Sequence, residues 1–131
     1  MFLPLQSEAQ CRGYAKRKCR PNLGEYTHDG KMNVAQLFPG DKAEILLTFY
    51  KGQSYRLLVC TDETFEGTEF TVYDTDKNKV FDSTKDGHDK FDFKVASTQQ
   101  LIVEIKIPQE QKETNSEFEM TGCVAVMVGI K

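Results

Sequence analysis

From residue 42 onward the chain is a succession of short runs in which every second side chain is apolar, and this period of two constrains the fold more than any other feature. The runs fall at Ala43–Tyr50, Tyr55–Thr61, Glu69–Asp74, Asn78–Asp82, Lys90–Val95, Gln99–Ile107 and Cys123–Ile130, with Gly52, Gly67, Asn78 and Gly87 punctuating them. Side chains that alternate in this way face a core on one side and solvent on the other. Turn residues at intervals of about 8–12 positions let such strands fold back on one another. The pattern predicts an all-β protein, an antiparallel β-sandwich of about eight strands, with an earlier strand at Met32–Phe38 entered through the turn Glu25–Gly30.

The faces can be read residue by residue. Tyr55, Leu57 and Val59 oppose Arg56, Leu58 and Cys60; Phe91 and Phe93 alternate with Asp92 and Lys94; Leu101, Val103 and Ile105 alternate with Glu104 and Lys106. The last run differs. Val124, Val126, Val128 and Ile130 oppose Ala125, Met127 and Gly129, so both faces are apolar. Such a strand lies centrally or packs one face under another element.

At 131 residues the chain has the length of one domain. Residues 11–131 read as a single β-sandwich, and residues 1–10 as a residual signal peptide or disordered lead. Within that lead, the apolar Met1–Leu5 precedes Ser7-Glu8-Ala9, whose small residues have the spacing a signal peptidase reads. No later run reaches the roughly 18 apolar residues that span a bilayer. The expectation is an exported protein, periplasmic or extracellular, that does not span the membrane. A net charge of −3 offers no basic face for phosphates, which argues against nucleic acid.

Residues 11–20 are expected to be helical or irregular, with Pro21 ending any helix. They carry the one basic cluster, Arg12, Lys16, Arg17, Lys18 and Arg20. It either docks an acidic partner or an anionic membrane surface, or is simply a solvated segment, and the lack of an accompanying aromatic platform favours the second.

Cys11, Cys19, Cys60 and Cys123 form an even set without a zinc-like spacing, which argues for disulfides. Three connectivities are open. The preferred one joins Cys11 to Cys19 around a short basic loop and Cys60 to Cys123 between strands. Closing those loops would contribute about 2.6 and about 4 kcal/mol by chain entropy.

Candidate chemistry is sparse. Asp74, Asp76 and Asn78 have the first, third and fifth positions of an EF-hand loop. Lys79 stands where that loop needs glycine, Lys85 where it needs a bidentate glutamate, and strands rather than helices flank it. A hairpin turn accounts for the same residues, because Asp and Asn hydrogen-bond nearby backbone. Asp82, Asp86 and Asp89 form a second oxygen-rich group that either holds a hard cation or keeps a loop solvated. His28-Asp29 and His88-Asp89 each put a carboxylate beside an imidazole, as a general base requires. Neighbouring side chains on a loop seldom point together, however, and no serine lies in a nucleophile elbow. Tyr26, Tyr50, Tyr55 and Tyr73 could offer rings to a sugar or peptide, although ordinary sheet packing with the hydroxyl at the rim is the favoured account of each.

The segments Gly52-Gln53-Ser54-Tyr55-Arg56-Leu57-Leu58-Val59-Cys60 and Phe70-Thr71-Val72-Tyr73-Asp74-Thr75-Asp76 resemble bacterial pre-peptidase C-terminal-like domains. The early cysteine pair, Thr48-Phe49-Tyr50, Ser97-Thr98-Gln99-Gln100-Leu101 and Gly122-Cys123-Val124 resemble a group of short, exported, cysteine-containing bacterial proteins. The resemblance implies a jelly-roll-like sandwich and a role in binding or export. The expected function is therefore a non-catalytic binding or accessory module for an envelope protein or glycan, with no cofactor. The alternatives are a calcium-stabilised structural component and a hydrolase assembled around His88 or His28.

Overall fold

The computed structural model describes residues 11–31, 33–61, 67–86, 90–108 and 122–131. The leading segment 1–10 lies outside the described residues, as do Met32, His88 with Asp89, and most of the polar connection Pro108–Thr121.

Among the described residues, nine strands follow a helical N-terminal segment: β1 (Thr27–His28), β2 (Asn33–Leu37), β3 (Lys42–Phe49), β4 (Ser54–Thr61), β5 (Glu69–Asp74), β6 (Lys79–Asp82), β7 (Lys90–Lys94), β8 (Gln99–Lys106) and β9 (Gly122–Ile130). All pairings are antiparallel. One sheet runs β1-β9-β4-β7, with β2 also paired to β9, and the other runs β3-β8-β5-β6. From β2 onward, every connection except the β5–β6 hairpin passes from one sheet to the other. This is the strand order of a jelly roll, the sandwich expected from the alternating runs. The short β1 falls inside Glu25–Gly30, read from sequence as a turn, and pairs Thr27 and His28 with Ile130 and Gly129.

Between the sheets lies one apolar core, including Leu57, Val72, Val103 and Val126. Six rings run through it in a chain of contacts: Phe70, Phe81, Phe91, Phe93, Phe49 and Tyr55, with centroids 4.5–5.3 Å apart at each step. Offset and edge contacts of this kind add to the burial of the rings. The buried Tyr55 hydroxyl accepts the Tyr50 N–H at 2.8 Å, so its one polar atom is satisfied.

The second apolar face of β9 is covered as well. Residues 11–14 are α-helical, Ala15–Cys19 form a π turn and Arg20–Leu23 a 3₁₀ turn. Cys11, Ala15, Cys19 and Leu23 recur at every fourth residue and all are buried. A four-residue step overshoots an α-turn by about 40°. The π turn, which winds more residues into each turn, takes up that drift and keeps Cys19 over the sheet. Ala15, Cys19 and Leu23 pack on Leu58, Ala125 and Met127, forming a second core outside the sandwich. Pro21 does not end the segment: it enters the first turn of the 3₁₀ stretch, where its missing N–H is no loss, and Gly24 at φ 61° ends it.

The disulfides differ from the preferred pairing. Cys11 joins Cys123 on β9, with Cα atoms 5.3 Å apart, and Cys19 joins Cys60 on β4 at 5.9 Å. The physical reason lies in the elements. Eight residues along a helix separate Cys11 from Cys19 by about 12 Å. Cys60 is level with Ala125 in the β4–β9 register, two positions from Cys123, so the two cysteines are diagonal neighbours on one face. Diagonal neighbours sit about 7–8 Å apart, beyond the span of a disulfide. Each bond instead pins the helical segment to a different strand. Their sequence separations of 112 and 41 residues correspond, taken singly, to about 5 and about 4 kcal/mol of chain-entropy stabilisation.

Two measurements check this account. Non-reducing peptide mapping should recover Cys11 with Cys123 and Cys19 with Cys60, and a Cys11–Cys19 peptide would refute the arrangement. At Gly129, a Cβ would lie 2.6 Å from Tyr26 Cβ and 2.9 Å from Leu23 Cδ2. Gly129→Ala should therefore cost about 1–3 kcal/mol in urea unfolding through overpacking, and an unchanged midpoint would show that the segment sits looser than described.

Candidate functional site

The acidic turn Asp74–Asn78 is built as a hairpin cap. Asp74 Oδ1 accepts the N–H groups of Asp76 at 2.9 Å and Asn78 at 2.8 Å, and Oδ2 accepts Asn78 Nδ2–H at 3.2 Å. Lys77, at φ 71°, makes the left-handed residue of the turn. These donors, the Asn78 backbone first, hold the Asp74 carboxyl below the ordinary aspartate range. Asp74 and Asn78 thus face each other as acceptor and donor, and a cation at Asp74 would have to displace three donors. In the second acidic group, Asp82 accepts the Thr84 hydroxyl at 2.7 Å and the Thr84 N–H at 3.0 Å and lies 3.2 Å from Lys79 Nζ. The Thr84 hydroxyl contributes most to holding its carboxyl at about 2.

His28 lies within 3.8 Å of Asp29 Oδ1, so here the adjacent side chains do converge. The same ring nitrogen, Nε2, lies 3.0 Å from the Lys31 carbonyl. A carbonyl only accepts, so Nε2 donates and is not the free base that hydrolysis requires. His88 lies outside the described residues. All four cysteine sulfurs are bonded in pairs, which removes the thiol nucleophiles.

Arg56 is the polar residue that sequence reasoning underrated. Its Nε and Nη2 donate to the two Asp92 carboxylate oxygens at 2.7 and 2.8 Å. Nη1 lies 3.3 Å from the Asn22 carbonyl and 3.4 Å from that of Leu23, while the guanidinium stands 4.6 Å above the Tyr26 ring. One side chain therefore ties β4 to β7 and satisfies the carbonyl end of the helical segment. Hydrogen bonding to Asp92 raises the Arg56 value further and depresses that of Asp92. Arg56 is the one charged residue on a face of β4 otherwise apolar at Leu58 and Cys60, and the β4–β7 register sets it opposite Asp92.

Beside the helical segment opens a cleft of about 510 Å³, lined by Tyr14, Lys18, Asn22, Thr61, Thr68 and Ser83 among others. The Tyr14 hydroxyl donates to the Thr61 carbonyl, and Ser83 Oγ accepts the Phe70 N–H at 3.0 Å. Hydroxyl, amide and amine groups can hydrogen-bond a ligand, but no nucleophile stands beside a base among these residues. Lys16, Arg17, Lys18 and Arg20 project into solvent next to it. The four tyrosines do not assemble: Tyr55 is buried in the core, Tyr26 lies beneath Arg56, and Tyr50 is exposed.

No protein-family model matches the chain, and no curated protein matches it by sequence. The likeness to pre-peptidase C-terminal-like domains accordingly rests on the short segments that suggested it. No described helix is long and apolar enough to cross a membrane.

The ion pair and the turn make separate predictions. Asp92 has a depressed carboxyl, so its contribution is present above the ordinary aspartate value of 3.8 and is lost as pH falls through its lower folded value. With the Asp92 side chain 43% exposed, solvent screening limits that contribution to about 0.5–1 kcal/mol. Asp92→Asn should show this deficit at pH 7 and converge with the parent in strong acid; a deficit independent of pH would assign the loss to packing. Millimolar calcium should leave the melting temperature unchanged, and a rise abolished by Asp74→Asn would make the turn a metal site.

Among solved structures, the fold is similar to that of the Aeromonas hydrophila PliG protein, a periplasmic inhibitor of g-type lysozyme. The match has a TM-score of 0.53 at 9% identity and covers 82% of this chain and 89% of that one.

Proposed function

We propose that the chain is an exported, non-catalytic β-sandwich that works in the periplasm or outside the cell by binding an envelope protein or glycan. The observation that carries this reading is the covalent fastening of the helical segment across the outer face of one sheet by Cys11–Cys123 and Cys19–Cys60. Such bonds persist in oxidising compartments. By tying the segment to β9 and β4 they also hold the sandwich in one shape before it meets a partner, and that lowers the ordering cost of association. The polar groups described above hold backbone in place instead of assembling a reaction centre. The likeness to a periplasmic lysozyme inhibitor supports the same reading and makes an enzyme that cleaves envelope glycan the first partner to test.

The test uses the oxidised protein against an immobilised g-type lysozyme and, separately, against soluble cell-wall glycan fragments. Saturable binding to either, with loss of lytic activity in the lysozyme case, is the expected result. Binding to neither, combined with hydrolysis of glycan by the protein itself that His28→Ala abolishes, would replace the binding reading with an enzymatic one.

A further inference from the structure

The two outer faces of the sandwich are finished differently. Over β4 and β9 the helical segment supplies a second apolar layer. Over the β3-β8-β5-β6 sheet no described element lies, and the strand registers sort its outward residues into rows. Leu46 is opposite Ile102, and Ile102 opposite Tyr73, giving an apolar row across three strands. Leu46 is 54% exposed, and Val80, the extra residue where the β5–β6 register shifts beyond this row, is 44% exposed. The next row places Glu44 directly opposite Glu104, with Thr71 and then Asp82 beyond. That these side chains share the outward face is shown by Lys42 Nζ at 3.6 Å from Glu104 and by the Gln100–Thr48 hydrogen bond at 3.3 Å.

This arrangement disfavours the isolated molecule on two counts. Like charges directly opposite across a strand pair are destabilising. Lys42 engages Glu104 only, and Glu44 has no ion-pair partner among the described residues. The apolar row beside it, exposed at Leu46 and half-buried at Ile102 and Tyr73, adds unfavourable contact with water. A cation placed between Glu44 and Glu104 with an apolar group over Leu46, Ile102 and Tyr73 would relieve both at once. Lys106, one row further out opposite Lys42 and Glu69, marks where the demand for a cation stops.

We propose that the outer face of the β3-β8-β5-β6 sheet is an interaction surface for a protein partner that presents an arginine or lysine beside an apolar side chain. The proposal rests on the binding-module reading above and assigns it a working face. The exposed cations Lys16, Arg17, Lys18 and Arg20 lie on the opposite side of the sandwich, so the two surfaces can be tested apart.

The experiment titrates the isotope-labelled, oxidised full chain with a short peptide of alternating arginine and leucine, and with its glutamate-for-arginine counterpart. Amide shifts are followed by nuclear magnetic resonance. Shifts concentrated at residues 42–48, 71–73 and 100–106, absent with the acidic peptide, are expected. Glu44→Lys should weaken the peptide at least tenfold, and Leu46→Asp should do likewise. Lys16→Glu combined with Arg17→Glu should leave it unchanged. Each variant is accepted only if its melting temperature is not below that of the parent, since Glu44→Lys relieves the Glu44–Glu104 repulsion and should melt no earlier, and Glu44→Lys alone decides the matter if Leu46→Asp unfolds. Shifts confined to the helical segment, equal response to the acidic peptide, or undiminished binding by Glu44→Lys would overturn the proposal. Lysozyme and glycan binding are read in the separate assay above, so a protein that binds the peptide here but neither of those keeps this face and loses the partner class. One that binds lysozyme undiminished by Glu44→Lys, with no peptide shifts on this sheet, keeps the function and loses this face.

Discussion

The structure turns on the need to bury β9 twice. A strand of Val124, Val126 and Val128 on one side and Ala125 and Met127 on the other cannot stand at the surface of a two-layer sandwich. The inner side is met by the opposing sheet, and the outer side by Ala15, Cys19 and Leu23. Once that third layer exists, other features follow from it: the absence of a side chain at Gly129 where Tyr26 approaches, Arg56 capping the last carbonyls of the segment, and cysteines placed to fasten it at two points. Hydrophobic burial supplies the attraction, and the disulfides limit how far the unfolded chain can stray from it.

The strands were legible because alternation is a local signal. The run Gln99–Ile107 and the observed β8 (Gln99–Lys106) agree within a residue because each apolar side chain reports its own face. The two-sided apolarity of β9 was legible too, although nothing local said which element would cover it. The helical stripe Cys11, Ala15, Cys19, Leu23 held that answer, but its four-residue spacing suits a continuous α-helix poorly and needs the π turn to work. The disulfide pairing failed for a related reason. Loop-closure entropy treats the chain as featureless, whereas a helix between Cys11 and Cys19 holds them apart. A helical reading of residues 11–20 and a bond between those two cysteines exclude each other, and geometry outweighs the preference for short loops.

Function was less legible because the residues that attract notice in the sequence do structural work. Asp74 and Asn78 have the spacing of calcium ligands, and the same spacing lets one carboxylate collect the donors of a hairpin turn. His28 stands beside a carboxylate, yet its Nε2–H donates a hydrogen bond to a main-chain oxygen. Recognition surfaces have no motif of this kind. The row Leu46, Ile102, Tyr73 comes from three strands separated along the chain and becomes visible only when the registers are known.

The bond between Cys11 and Cys123 encloses the one between Cys19 and Cys60, so nearly the whole described chain is a covalent ring. A peptide bond cut once anywhere between those outer cysteines leaves both pieces attached through sulfur, with the sandwich able to stay assembled around the nick. Beyond the cell's reducing interior, where proteases are abundant and resynthesis cannot reach, a molecule closed in this way outlives its first cleavage.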